Sequence, residues 1–139
     1  MVVDEPDRPF LSRSLRVPDR VLSHLLGDDR PEPLLARLEL PAVVLDLPEV
    51  PVLAHAVKEG LRPLYVHDGG IGIGLAVATS ALATAGRAAV VLDLGRLGSS
   101  DDVTTVLRLA VREAGLRGAG LVLSLSDDVV EQNLGALQW

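Results

Sequence analysis

The spacing of apolar positions changes near residue 42. Before it, Val21, Leu22, Leu25 and Leu26 fall at i, i+1, i+4 and i+5, one face of a helix. Pro18 suits a first-turn position because its missing N–H would be unpaired there anyway, and Gly27 suits the stop. A polar, proline-broken stretch over 28–33 follows, then a short apolar helix over 34–38. Beyond residue 42, four short apolar runs at 42–45, 64–67, 88–92 and 121–125 alternate with helical stretches at 51–59, 75–85, 103–114 and 129–137. The clearest helix places Val103, Val106, Leu107, Ala110 and Ala114 on one stripe. Ser99 and Asp102 stand at capping-box spacing before it. Gly60, Gly86, Gly115 and Gly118 mark helix ends.

Short buried strands alternating with helices predict βαβ units and a parallel sheet. The last three runs are almost continuously apolar, as strands covered on both faces are. The expected architecture is an α/β, three-layer, P-loop or Rossmann-like, mostly parallel sheet of about four strands with an N-terminal helical arm. The arm would span 1–40 and an incomplete P-loop-like α/β domain 41–139.

Composition narrows the function classes. The chain has 139 residues, 48% of them hydrophobic, enough for a sizeable core and incompatible with a disordered chain. A net charge of −6, from 13 Lys+Arg against 19 Asp+Glu, disfavours nucleic acid as a partner. Cysteine is absent, which excludes disulfides, thiolate zinc sites and a cysteine nucleophile. No apolar run approaches the roughly 18 residues of a membrane span, and the first ten residues carry no signal-peptide core. These features predict a cytoplasmic protein without a membrane partner. Phe10, Tyr65 and Trp139 are the only aromatic residues, and Lys58 is the only lysine.

The candidate chemistry lies in the glycine-rich turn after the second run. Such a turn between a strand and a helix can cradle an anion with inward N–H groups and the helix dipole. The candidate nucleotide-binding residues are Gly69, Gly70, Gly72, Ile73, Gly74, Leu75 and Ala76. The dinucleotide fingerprint G-x-G-x-x-G fails, since Leu75 and Val77 stand where its last glycine belongs, although Asp93 lies at the distance of a ribose-binding acid. The P-loop pattern G-x-x-x-x-G-K-[ST] matches at Gly69 and Gly74, but Leu75 and Ala76 replace its lysine and hydroxyl residue. Ser126 takes the place of the Walker B acid, with Asp127 and Asp128 after it. A plain tight turn and an anion cradle both fit the loop.

In order, the segments RPFLSRSLRVPDRVLSHLLGDD, LYVHDGGIGIGLAVA, AAVVLDLGRL and LRGAGLVLSLSDD resemble the N-terminal part of large bacterial AAA-type ATPases. In that family the glycine loop ends in a basic residue and the fourth strand in Asp. The resemblance implies ATP or ADP as ligand, Mg only with bound nucleotide, and remodelling of a partner protein. The degenerate motifs imply little or no hydrolysis and a role in assembly or partner contact, as inactive modules of tandem ATPases have. The lid, sensor and arginine finger of a complete AAA core are missing, which implies a fragment or a reduced relative. Two other readings stand beside it. One is a protein-interaction domain that binds no nucleotide, joined to a protein partner or to itself. The other is a Rossmann-like binder of a cofactor such as NAD.

The remaining polar residues have plain explanations. Asp93 suits a strand-end acid, Asp127 and Asp128 suit a helix N-terminus, His67 suits polar packing at a strand end, and Arg87 and Arg96 suit loops. His24 and His55 read as surface positions. No catalytic residue and no metal-ligand set is assigned.

Overall fold

The computed structural model describes residues 16–67 and 73–125. The chain divides into two compact units, Met1–Glu32 and Pro33–Trp139.

In the first unit, α1 (Asp19–Leu25) starts at Pro18, whose carbonyl accepts from the N–H groups of Val21 and Leu22. The predicted apolar face is not a buried face: Leu22, Leu25 and Leu26 are exposed, and the buried side chain of the helix is Arg20. Arg20 Nη1 donates to the Asp28 carbonyl at 3.0 Å, and its Nη2 lies 3.5 Å from Asp29. His24 Nδ1 pairs with Asp29, and Arg30 grips Asp28 through Nε and Nη2. These hydrogen bonds, from Arg30 above all, hold the Asp28 carboxyl down at about 2. The bond from His24 lowers Asp29 in the same way.

The second unit holds α2 (Pro33–Leu38), β1 (Glu39–Leu40), α3 (Val50–Lys58), α4 (Gly74–Thr84), β2 (Ala89–Asp93), α5 (Val103–Leu116) and β3 (Gly120–Ser124). The sheet runs β1-β2-β3. β2 pairs parallel with β3, Ala89 opposite Gly120 and Asp93 opposite Ser124, and antiparallel with β1, Glu39 opposite Leu92. Side chains of a strand alternate between faces. Accordingly Val90 and Leu92 join Leu35 and Leu38 of α2 and Val106 and Ala110 of α5 in one cluster. Val91 joins Val122 and Leu82 of α4 in another.

The fold expectation is corrected here. Among the described residues the sheet has three strands and is mixed, so it is not a four-stranded, mostly parallel P-loop sheet. The runs 42–45 and 64–67 belong to no ladder, and Glu39–Leu40, unpredicted as a strand, supplies the third. Both edges of β2 are taken, by β1 and β3, so neither run can pair with it. Proline also flanks these runs, at 41 and 48 around the first and at 63 before the second. Proline contributes no N–H to a ladder and constrains the residue before it. The backbone of the first run bonds instead to side chains of α4. Leu45 N–H donates to Ser80 Oγ at 2.7 Å, and Thr79 Oγ1 donates to the Val43 carbonyl.

The helix α5 follows its predicted stripe, with Val106, Leu107, Ala110 and Ala114 buried. Its N-cap is Asp102, which accepts from the Thr105 N–H at 3.0 Å and the Thr105 hydroxyl at 2.6 Å. These bonds hold the Asp102 carboxyl below its ordinary value. The helix passes through Gly115 and ends at Gly118, whose φ of +61° lets the Ala119 N–H reach back to the Ala114 carbonyl at 2.8 Å. Glu113, absent from the predicted stripe, is buried and accepts from Arg117 Nε at 2.8 Å. Arg117 also donates to Glu39 at 2.6 and 3.3 Å, which ties the end of α5 to β1 and raises the guanidinium pKa. The predicted helix at 129–137 lies outside the described residues.

Candidate functional site

The candidate loop divides at residue 73. Gly69, Gly70 and Gly72 lie outside the described residues, as do Ser126, Asp127 and Asp128. Ile73, Gly74, Leu75 and Ala76 form the start of α4. Ile73 is the N-cap residue, and its carbonyl accepts from the Val77 N–H at 2.9 Å. An isoleucine side chain cannot cap, and the first turn carries no acid. Leu75, at the position of the P-loop lysine, packs against the cluster of Leu82, Val91 and Val122. Its side chain therefore serves the core. Lys58 ends α3 and is exposed.

Asp93 has a local task. Its Oδ1 accepts from the Gly95 N–H at 3.0 Å, capping the 3-10 turn Leu94–Arg96, and its Oδ2 lies 3.4 Å from Arg96 Nε. Arg96 is thereby turned toward the end of β2. Arg87 and His55 are exposed. Among the described residues no group of three or more His, Asp or Glu side chains could hold a metal ion. Among them too, no helix is long and apolar enough to cross a membrane.

A concave feature lies between α3, residues 65–67 and α4. A groove of about 420 Å³ is lined by Val52, Leu53 and Ala56 of α3, by Tyr65 and His67, and by Val77 of α4. Val66 and Glu49 complete the lining, with Glu49 its single acid. Val77 is buried at its base, whereas Val52 and Tyr65 are 76% and 78% exposed. The lining is mainly apolar, with Tyr65, His67 and Glu49 as its polar groups.

The groove belongs to a wider pattern. Ten large apolar side chains are exposed among the described residues of the second unit, and nine of them lie between Val43 and Ile73. Val111 is the tenth. α4 supports both parts of this face: Val77 underlies the groove, and Thr79 and Ser80 hold the 43–45 segment. The glycines drew attention to the loop, whereas Tyr65 and Val52 carry no motif. The sequence did hold one signal for them. The hexapeptide Ala-Val-Val-Leu-Asp-Leu occurs twice, at 42–47 between prolines and at 89–94 without them. A strand sequence bracketed by prolines is an apolar segment with a poor chance of entering a sheet.

No family model matches this chain, and neither a curated protein nor a solved structure matches it.

Proposed function

We propose that this chain is a non-catalytic protein-interaction module whose working surface is the apolar face around the α3 groove. The carrying observation is the concentration of exposed large apolar side chains between Val43 and Ile73, with Val52 and Tyr65 the most exposed. Large exposed apolar side chains grouped around a groove mark sites of association, and Val52, Tyr65 and Val66 are so grouped here. Tyrosine beside aliphatic anchors is the composition of an interface centre. Partner contact is also the role implied by the resemblance to AAA-type ATPases, and a cytoplasmic location agrees with the cysteine-free, acidic composition.

The test is photo-crosslinking in the cell from a reactive side chain placed at position 65 or 52, with position 108 on exposed Arg108 as control. Protein adducts are expected from 65 and 52 and not from 108. Absence of adducts from both would overturn the proposal.

A nucleotide-binding reading has one feature in its favour, the start of α4 with neither a side-chain cap from Ile73 nor a first-turn acid. Against it, the run that would lead into the cradle is no strand, and Leu75 faces the core. A rise in melting temperature with ATP·Mg, ADP or NAD would favour it, because a ligand selective for the folded state stabilises that state. The interaction reading expects no rise with any of the three.

A further inference from the structure

We infer that the partner segment seated in the α3 groove is a basic one, an aliphatic side chain with an arginine or lysine beside it, an inference that rests on the interaction reading above. The lining, its unpartnered carboxylate and the surrounding charge point the same way.

Val52, Leu53, Ala56, Val66 and Val77 make most of the lining apolar, which suits an aliphatic anchor. With histidine neutral, the lining holds one formal charge, and it is negative. Glu49 is exposed and stands at the N-cap position of α3, yet its carboxylate does not cap that helix. Nor does it make a hydrogen bond or ion pair with any other side chain among the described residues. Lys58 and Arg62, the nearest cations in the sequence, are not in the lining. A partner that covers the groove strips water from this carboxylate, and a cation on the partner offsets that cost.

Tyr65 adds an attraction for the same kind of group. It is largely exposed, and an aromatic face draws a guanidinium or ammonium group. Arginine suits both contacts best, since its planar fork stacks on a ring and pairs with a carboxylate.

The surroundings reinforce the choice. Residues 46–68 hold Asp46, Glu49, Glu59 and Asp68 against Lys58 and Arg62, a net −2 in a chain of net −6. Such a field steers a basic segment toward the groove and opposes an acidic one.

Fluorescence anisotropy of the purified full chain tests this with short synthetic peptides that share the same leucines and carry arginine, glutamine or glutamate beside them. The arginine peptide should bind about tenfold or more tighter than the glutamate peptide. Glu49→Gln should weaken the arginine peptide by up to about fivefold, the worth of an exposed ion pair. Glu49→Lys should weaken it further and strengthen the glutamate peptide. Glu59→Lys makes the same charge change at an exposed residue outside the lining. It lies about 15 Å further along the helix axis, beyond the screening length of about 8 Å at physiological salt, and should leave the arginine peptide nearly unaffected. Far-UV circular dichroism checks that each variant keeps its fold, which the exposure of both sites favours. Equal binding of the arginine and glutamate peptides, a preference that Glu49→Lys leaves intact or Glu59→Lys reduces as much, or no binding of any peptide overturns the inference. Crosslinking in the cell from position 65 separates it from the broader proposal. Adducts lost with Glu49→Lys and kept with Glu59→Lys support the basic partner. Adducts indifferent to Glu49→Lys, or lost equally with Glu59→Lys, defeat it while the interaction reading survives, and no adduct from 65 or 52 defeats both.

Discussion

The same six residues meet opposite fates in this protein. At 89–94, Ala-Val-Val-Leu-Asp-Leu forms the central strand and enters the 3-10 turn, with Val90, Val91, Leu92 and Leu94 almost fully buried. At 42–47 it joins no strand, and Val43, Val44 and Leu45 are exposed. Intrinsic preference is identical by construction, so the difference comes from surroundings. β2 has a partner on each edge and an apolar cluster on each face. The twin has prolines at both ends and a helix that engages its backbone through Thr79 and Ser80. Strand propensity thus measures fit to a pleated, buried position more than a property of the residues.

Paired substitutions at equivalent positions can break this comparison. Val91→Asp should abolish cooperative folding, since an unpaired buried carboxylate costs several kcal/mol against a total stability of about 5–15 kcal/mol. Val44→Asp, its counterpart, should leave the fold intact, because Val44 is exposed. A collapse of both variants in thermal denaturation would mean that the first hexapeptide is also core. Leu92→Ala should cost about 3 kcal/mol in a urea titration, the range for a fully buried leucine. Leu45→Ala should stay within about 0.5 kcal/mol.

A loss smaller than that of Leu92→Ala is expected from Arg117→Ala. It strips Glu113, a buried carboxylate, of one ion-pair partner and unties β1 from α5. Because Arg117 is itself partly exposed, the cost should be about 2 kcal/mol, below that of a fully buried pair. Amide exchange at Glu39 and Leu40 should speed up more than at β3. Unchanged exchange there would mean that β1 is held by its ladder alone.

Among the variants expected to destabilise the fold, the smallest effect is at the cap of α5. Asp102→Ala should lower the melting temperature by a few degrees near neutral pH. The folded Asp102 pKa is depressed. Its stabilisation is therefore complete above the unfolded value near 4 and fades as pH falls through the lower folded value. The gap between wild type and variant should close on acidification, and a gap constant down to pH 2 would reject Asp102 as the ionised cap.

Much of the local structure was legible. The stripe of α5 shows at i, i+3 and i+4, Gly86 and Gly118 end their helices with positive φ, and the runs at 88–92 and 121–125 pair as parallel neighbours. What escaped depended on distant partners. Glu39–Leu40 is a strand only because the edge of β2 receives it. Glu113 is buried with Arg117 beside it, and no periodicity rule assigns a carboxylate to a core stripe. The candidate site was least legible. Glycine spacing pointed to 69–76, yet Leu75 turns into the core, and the exposed apolar face has no motif at all.

Taken alone, the sequence determined the stripe of α5, the ends of α4 and α5 and the supply of apolar runs, because each follows from spacing within one or two turns. It did not determine which runs become strands. A strand needs hydrogen-bond partners from elsewhere in the chain and cover on its faces. β1 and β3 with α2, α4 and α5 supply both to one hexapeptide, and only the tertiary structure decided that its twin remains outside the sheet.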